Sequence, residues 1–360
     1  MMKAYPLFFI FFLLMVAGCN RHIAVSKTLV IYPSPPDTAR IQYLTSFSSS
    51  TDIAAAKRSS LLQKIVLGDE QQHIAIGKPY GIATAKGKIF ICDPITKGLK
   101  IIDLVKNTFT PFVPGGRGQL KQPINCAVDE DGKLYIADGG RKEVVVFDEN
   151  LNYVTAIGKT GTGDNFRPLD VCVSDKKIWI TNSKNNNIYV YQKEDYKLLK
   201  TFPDSTISVE NNVLFNPINI YFRNGKIYVT DFGDFKIKVF TEDGKYLSSV
   251  GEYGKSLGQF VRPKGIAVDK DDNLYVVDAG FENVQVFNSE GKLLMFFGGG
   301  PYNAPGDMWL PAKVHIDYEN MQFYEKWVSP EYELNYLIYV SNQYGPDKIS
   351  VYGAVKPVKK

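Results

Sequence analysis

Apolar residues fall in short runs separated by turns rich in Gly, Asn and Asp, and the runs recur in a fixed order. A proline opens each unit and an apolar strand follows it, as in Pro123-Ile124-Asn125-Cys126-Ala127 and Pro263-Lys264-Gly265-Ile266-Ala267. The other anchors are Pro79, Pro168, Pro217 and Pro311, so the spacings are 44, 45, 49, 46 and 48 residues. A second strand then ends in Asp or Asn: Asp93, Asp138, Asn182, Asp231, Asp278 and Asn342. A third follows, as in Val144-Val145-Val146-Phe147, and a fourth closes the unit, as in Tyr246-Leu247-Ser248-Ser249-Val250. Asp131-Gly132, Asn224-Gly225 and Asp243-Gly244 lie between runs, where tight hairpins need positive φ. Four short antiparallel strands in about 46 residues, repeated, describe the blade of a β-propeller. One blade cannot bury both faces of its sheet, whereas a ring lets every face meet a neighbour. Six copies predict an all-β, six-bladed propeller of four-stranded antiparallel blades.

The sixth copy supplies three strands and ends in a basic tail, Lys356–Lys360. Residues 39–47, Ala39-Arg40-Ile41-Gln42-Tyr43-Leu44-Thr45-Ser46-Phe47, have strand character and lie outside the repeats. We assign them as the outer strand of the last blade, which closes the ring and leaves no blade short of a partner. The propeller then spans residues 39–355. Residues 48–78 connect the closing strand to blade one. Within them Leu61, Leu62, Ile65 and Val66 suit one short amphipathic helix before blade one, either a lid over the ring or a partner-binding helix.

Composition agrees with a globular β protein: 44% hydrophobic, 22% charged, with 22 Tyr and 22 Phe. A net charge of +4 is too near balance to suggest a nucleic-acid partner. Four Cys do not make a disulfide scaffold, and three His leave little for a multi-histidine metal centre.

The first residues read as an address. Lys3 precedes the apolar run Leu7–Leu14, too short to span roughly 30 Å of hydrocarbon as a stable helix, and Val16-Ala17-Gly18-Cys19 follows. This segment resembles the lipobox of bacterial lipoproteins. The resemblance implies removal of residues 1–18, lipidation of Cys19, and a membrane anchor to which each buried CH₂ contributes ~0.8 kcal/mol. Asn20 after the cysteine favours the outer membrane in that family. Residues 19–38, polar and Pro-rich, form a tether to the propeller.

The sequence Pro263-Lys264-Gly265-Ile266-Ala267-Val268-Asp269, with Leu274–Asp278 and Val284-Gln285-Val286-Phe287, resembles NHL repeats. Tyr32-Pro33-Ser34-Pro35-Pro36-Asp37-Thr38-Ala39-Arg40-Ile41 resembles the lead-in of bacterial lipoproteins with NHL-type six-bladed propellers. The likeness covers about residues 30–353; it is specific for fold and weak for activity. Copies two, three, four and six depart from the repeat's Gly.

Candidate chemistry follows from the repeat positions. The second residue after each anchor proline is Gly81, Asn125, Asp170, Asn219, Gly265 or Lys313, which superposed blades would place in a ring at the mouth of the axial channel. Asn125, Asp170 and Asn219 offer oxygens to a hard cation such as Ca²⁺ or to a polar ligand, with Lys313 able to pair with Asp170. They could equally form a hydrogen-bonded plug. Calcium-dependent lactone hydrolases resemble the chain in architecture only, and the ring holds no Glu. The Asp or Asn ending each second strand reads as a structural acceptor of turn N–H groups. Cys92, Cys126 and Cys172 fall on strands as buried thiols, with a Cys126–Cys172 disulfide open as an alternative. No Ser-His-Asp set, phosphate loop or zinc signature is present.

An insertion in the sixth copy, residues 318–336, interleaves aromatics with glutamates. Phe323, Tyr324, Trp327 and Tyr332 are candidates for binding a partner, against self-packing across the propeller face. The expected function is an exported, lipid-anchored, monomeric, non-catalytic binding scaffold of the cell envelope with a protein partner and no resident cofactor. The alternatives are a cation-dependent hydrolase or lyase working at the channel mouth, and a purely structural spacer.

Overall fold

The computed structural model describes residues 29–54, 73–158, 165–203, 213–300 and 304–358. Cys19, the amphipathic run at Leu61–Val66 and the last two lysines lie outside them. Strands β1 (Ile31–Tyr32) and β2 (Ile41–Phe47) precede a short helix, α1 (Ser50–Ala54). Blade one is β3 (Ile82–Ala85), β4 (Lys88–Asp93), β5 (Gly98–Asp103) and β6 (Thr108–Phe112). Blade two is β7 (Pro123–Val128), β8 (Leu134–Asp138), β9 (Glu143–Phe147) and β10 (Tyr153–Ile157). Blade three is β11 (Pro168–Val173), β12 (Lys177–Asn182), β13 (Asn187–Gln192) and β14 (Leu198–Phe202). Blade four is β15 (Pro217–Arg223), β16 (Lys226–Asp231), β17 (Lys236–Thr241) and β18 (Tyr246–Val250). Blade five is β19 (Pro263–Val268), β20 (Leu274–Asp278), β21 (Asn283–Phe287) and β22 (Leu293–Gly298). Blade six is β23 (Pro311–Asp317), β24 (Tyr332–Asn342) and β25 (Ile349–Pro357), completed by the chain's front end in the order β1-β2-β25-β24-β23. The fold is thus an all-β six-bladed propeller whose ring is closed by the N-terminal strand.

Period-two alternation explains the core. In blade two, Ile136 and Val145 face blade one and meet Phe90 and Ile101, while Tyr135, Ala137 and Val146 face blade three and meet Val171 and Ile180. Each of six hydrophobic clusters is one blade-to-blade interface, so the second and third strands are buried on both faces and read as nearly continuous apolar runs.

The closing interface is built differently. β2 pairs antiparallel with β25 from Ile41↔Ala354 to Phe47↔Ile349, and β1 adds two pairs beyond it. Part of the expected tether is therefore strand. The expected basic tail is strand as well up to Pro357: Glu333 lies opposite Lys356 and the pair is 3.3 Å apart.

The insertion supplies two 3₁₀ turns, Met321–Phe323 and Glu325–Trp327. Tyr324 is 1% exposed and packs with Phe47, Leu337 and Tyr339 between blades six and one. Phe323 and Trp327 pack against the same cluster, and Tyr332 lies half-buried opposite Pro357. The Gln42 side chain clamps the turn, donating to the Trp327 carbonyl at 2.8 Å and accepting from the Ser329 N–H at 3.0 Å. The partner-binding expectation is corrected for Tyr324: its ring is held in the closing interface and offers no face to another molecule.

Candidate functional site: the axial channel and its mouth

Adjacent inner strands approach closely enough that side chains would collide. A Cβ at Gly81 would lie 2.5 Å from Asn125 Cα, and one at Gly265 would lie 2.5 Å from Lys313 Cα. Glycine stands where the next blade's backbone leaves no room. At the other positions the side chain takes part in joining blades. Asn125 Nδ2 donates to the Leu169 carbonyl of blade three at 3.0 Å. Asp170 Oδ2 accepts the Ile220 N–H of blade four at 3.1 Å, and Oδ1 accepts from Val171 at 2.9 Å. Thr230 Oγ1 donates to the Lys264 carbonyl at 2.7 Å, and Ser341 Oγ to the Tyr80 carbonyl at 2.6 Å. Gly81 N–H donates to the Ile124 carbonyl at 2.9 Å. These bonds run from blade to blade around the axis.

Asn125, Asp170 and Asn219 are fully buried, and Lys313 reaches the last two from blade six. Its Nζ lies 2.6 Å from Asp170 Oδ2 and 3.3 Å from Asn219 Oδ1. Burial raises the Asp170 carboxyl above its ordinary range, against the opposing pull of the Lys313 ammonium. Three of the four candidates, Asp170, Asn219 and Lys313, come together around the lysine ammonium, while Asn125 bonds the Leu169 carbonyl and its Oδ1 has no partner.

This arrangement does not fit Ca²⁺. A calcium ion takes six to eight oxygens at about 2.3–2.6 Å. Here Asp170 Oδ1 is bonded to a backbone N–H, and Asp170 Oδ2 and Asn219 Oδ1 are bonded to the lysine. Only Asn125 Oδ1 lacks a partner among the ring's oxygens. No cluster of three or more His, Cys, Asp or Glu side chains suited to a metal occurs among the described residues.

On the far side of this plug lies a cavity of about 200 Å³, lined in part by Thr84, Cys126, Cys172 and His315. His315 Nε2 and Thr84 Oγ1 are 2.9 Å apart, bridging blades six and one. Burial, with help from Lys313 and against Asp317, lowers the imidazole to about 4, so it is neutral near pH 7. The three described cysteines are free and buried. Cys126 packs beside Cys92 between blades one and two, whereas Cys172 packs between blades three and four. The Cys126–Cys172 disulfide is therefore absent. Burial raises the Cys92 and Cys172 thiols well above their ordinary value, which makes them poor nucleophiles.

On the near side, at the end where the anchor prolines lie, the channel opens into a recess of about 490 Å³. Most of its walls come from residues flanking the anchor prolines of blades one to five, with Pro94, Phe232 and Gln343 added from the turns after second strands. Ile124, Leu169, Ile218 and Phe232 line the side formed by blades two to four. Lys78 and Tyr80 from blade one, Arg262 and Lys264 from blade five, and Gln343 from blade six line the other. No acidic residue lines the recess among the described residues. Burial, then Arg262 and Lys78, lowers the Lys264 ammonium to about 8; burial, then Asp170, pushes the Tyr80 phenol up to about 12. These residues are absent from the sequence-based expectation, yet the same superposition of repeats carries the signal. The first residue after each proline reads Tyr80, Ile124, Leu169, Ile218, Lys264, Ala312, which is aliphatic along blades two to four and carries a lysine and a tyrosine on either side of a small alanine along the rest.

The carboxylates and amides that end the second strands act as expected. Asp138 accepts the N–H groups of Lys121 at 2.7 Å, Gln122 at 2.9 Å, Gly140 at 3.0 Å and Arg141 at 2.9 Å. Asp278 does the same for Val261, Arg262, Gly280 and Phe281. Each ties the loop entering its blade to the turn after the second strand, and so holds the rim of the recess.

Fold and axial site together define a six-bladed β-propeller with a plugged channel and an open recess at one end. A family model described as a 6-bladed beta-propeller matches residues 208–353. No curated protein matches the chain in sequence. Among solved structures, a Bacteroides thetaiotaomicron protein of unknown function is 17% identical, with a TM-score of 0.56 over 79% of this chain and 70% of that one. A gluconolactonase from Xanthomonas campestris is 15% identical, with a TM-score of 0.55 over 88% and 98%. Virginiamycin B lyase from Staphylococcus aureus is 16% identical, with a TM-score of 0.52 over 79% and 85%. At these identities the likeness is one of fold.

Proposed function

We propose that the chain is an exported bacterial lipoprotein of the NHL-repeat kind, held by lipid on Cys19, that works in the cell envelope as a monomeric, non-catalytic binding module. Its working face is the proline end of the propeller, where the recess opens to a ligand or to a partner protein. The observation that carries this reading is the Lys313–Asp170 pair, with Nζ 2.6 Å from Oδ2. The polar groups nearest the axis hold blades together and neutralise one another, which leaves the recess equipped to bind. The lipid anchor is supported by the run Leu7–Leu14 followed by Val16-Ala17-Gly18-Cys19, and the outer membrane by Asn20. A cation-dependent hydrolase or lyase at the channel mouth would first have to move the Lys313 ammonium out of the oxygen ring. The enzymes among the similar propellers lend it fold alone.

Two measurements test the proposal. Wild-type protein partitions into the detergent phase and crosslinks in membranes to a partner through residues at the proline end, while Cys19→Ser moves to the aqueous phase. Calorimetry of the purified chain with Ca²⁺ gives no saturable heat. A reproducible hydrolase or lyase activity of the purified chain, or a saturable Ca²⁺ heat abolished in the Asn125/Asp170/Asn219 triple-Ala variant, would overturn it. A tethered protein that crosslinks to nothing would leave only a spacer.

A further inference from the structure

The recess carries charge that the protein does not balance. Lys264 is 6% exposed, its Nζ is 5.5 Å from the centre of the Tyr80 ring, and no carboxylate pairs with it among the described residues. Arg262, two residues before it, has no carboxylate partner among the described residues either. Lys78 completes the group, its Nζ 3.4 Å from Tyr344 Oη and 5.0 Å from the centre of that ring. Three cations thus face one recess with no counter-charge in its walls among the described residues. Lys264 is buried, Lys78 half-buried and Arg262 exposed; a buried cation without an anion is costly, and like charges beside it add to that cost. The opposite arc is apolar, built of Ile124, Leu169, Ile218 and Phe232.

We infer that the recess binds an organic anion, a carboxylate or phosphate ester attached to an apolar body, with its charge against Arg262, Lys264 and Lys78 and its body against Phe232 and the aliphatic arc. This rests on the reading of the propeller as a binding module and names the class of ligand. The volume, about 490 Å³, is that of a small-molecule site. Arg262 can grip two oxygens at once, Lys264 supplies a point charge at the base, and Tyr80 offers a neutral phenol beside them.

The test is calorimetry of the purified chain with 2-naphthoate, 2-naphthyl phosphate and the neutral 2-naphthamide. At least one anion binds saturably with one site per chain, and the amide binds at least about tenfold more weakly. Arg262→Gln and Lys264→Met each lower anion affinity about tenfold or more, Phe232→Ser weakens anion and amide alike, and Lys176→Gln changes nothing. Lys264→Met nearly keeps the side-chain volume and Arg262 is exposed, so both variants keep the fold. The inference falls if neither anion gives a saturable heat at millimolar concentration, if the amide matches the acid, or if neither variant moves the affinity. An equal loss in Lys176→Gln would also sink it, by assigning the heat to diffuse surface charge. Absence of anion binding with membrane crosslinking intact overturns this inference alone. Release of 2-naphthol from the phosphate, lost in Lys264→Met, keeps the anion site and overturns the non-catalytic reading.

Discussion

At the scale of single residues, the axis is governed by one charge pair and one neutral imidazole. Lys313 and Asp170 compensate each other in a place that water barely reaches. Lys313→Met strands the carboxylate and is expected to cost about 3–5 kcal/mol, while Lys313→Met with Asp170→Asn recovers most of that loss. Urea midpoints of the two single variants and the double variant measure the coupling, and strictly additive losses would show that the pair does not matter. His315 sets a pH dependence. Its folded value, about 4, lies below the ordinary 6.5, so between those limits the unfolded chain binds a proton that the folded one refuses. Stability therefore falls as pH drops from about 6.5 to 4, by roughly 3 kcal/mol in total for this group, and is unaffected by it above pH 7. His315→Gln, which can still reach Thr84, removes that slope. Wild-type and variant stability curves that run parallel from pH 7 to pH 4 would contradict the assignment. The meeting of Asp170, Asn219 and Lys313 was legible because equivalent positions in a ring of repeats must face the same axis. That the lysine would fill the centre was not legible, since repeat spacing fixes where a Cα lies and leaves the direction of a long side chain open.

At the scale of elements, the strands that announce themselves are those buried on both faces. Leu134–Asp138 and Leu274–Asp278 are continuous apolar runs stopped by an aspartate, and each is fully buried. The outer strands are harder to see. Leu198–Phe202 and Tyr246–Val250 are largely exposed, so little in their composition is constrained. The insertion shows how a true signal can point two ways. Aromatics at 323, 324 and 327 signal a surface that wants covering, but sequence cannot say whether the cover is another protein or the same one. The answer lies in a residue 285 positions away, Gln42, whose side chain fastens the Trp327 carbonyl. Cys126 and Cys172 illustrate the same gap. They occupy neighbouring inner strands, yet Cys126 sits in the interface with blade one and Cys172 in that with blade four. Strand adjacency was readable; side-chain face was not.

At the scale of the whole molecule, the blade count and the manner of closure were legible together, because six copies with one strand missing and one strand spare admit a single simple ring. Closure matters more than any one interface. Five of the blades are continuous hairpin chains, but the sixth is completed only by pairing residues far apart in sequence, Ile41 with Ala354 and Phe47 with Ile349. The same strand supplies Leu44 and Phe47 to the interface between blades six and one, Ile41 to that between blades five and six, and Gln42 to the clamp on the insertion. Removing it uncovers the edge of β25 and opens two hydrophobic interfaces at once, and an exposed strand edge beside apolar surface pairs with other chains. A chain beginning at residue 48 is therefore expected to elute as oligomers and to lose the single cooperative urea transition of the intact protein. A peptide of residues 29–47 added in trans is expected to restore a monomer-sized species, since the groove and the hydrogen-bonding edge it needs are both formed by the rest of the chain. A shortened chain that stays monomeric with an unchanged midpoint would mean that the ring holds without its fastening strand, and that the aromatic insertion alone secures the closing interface.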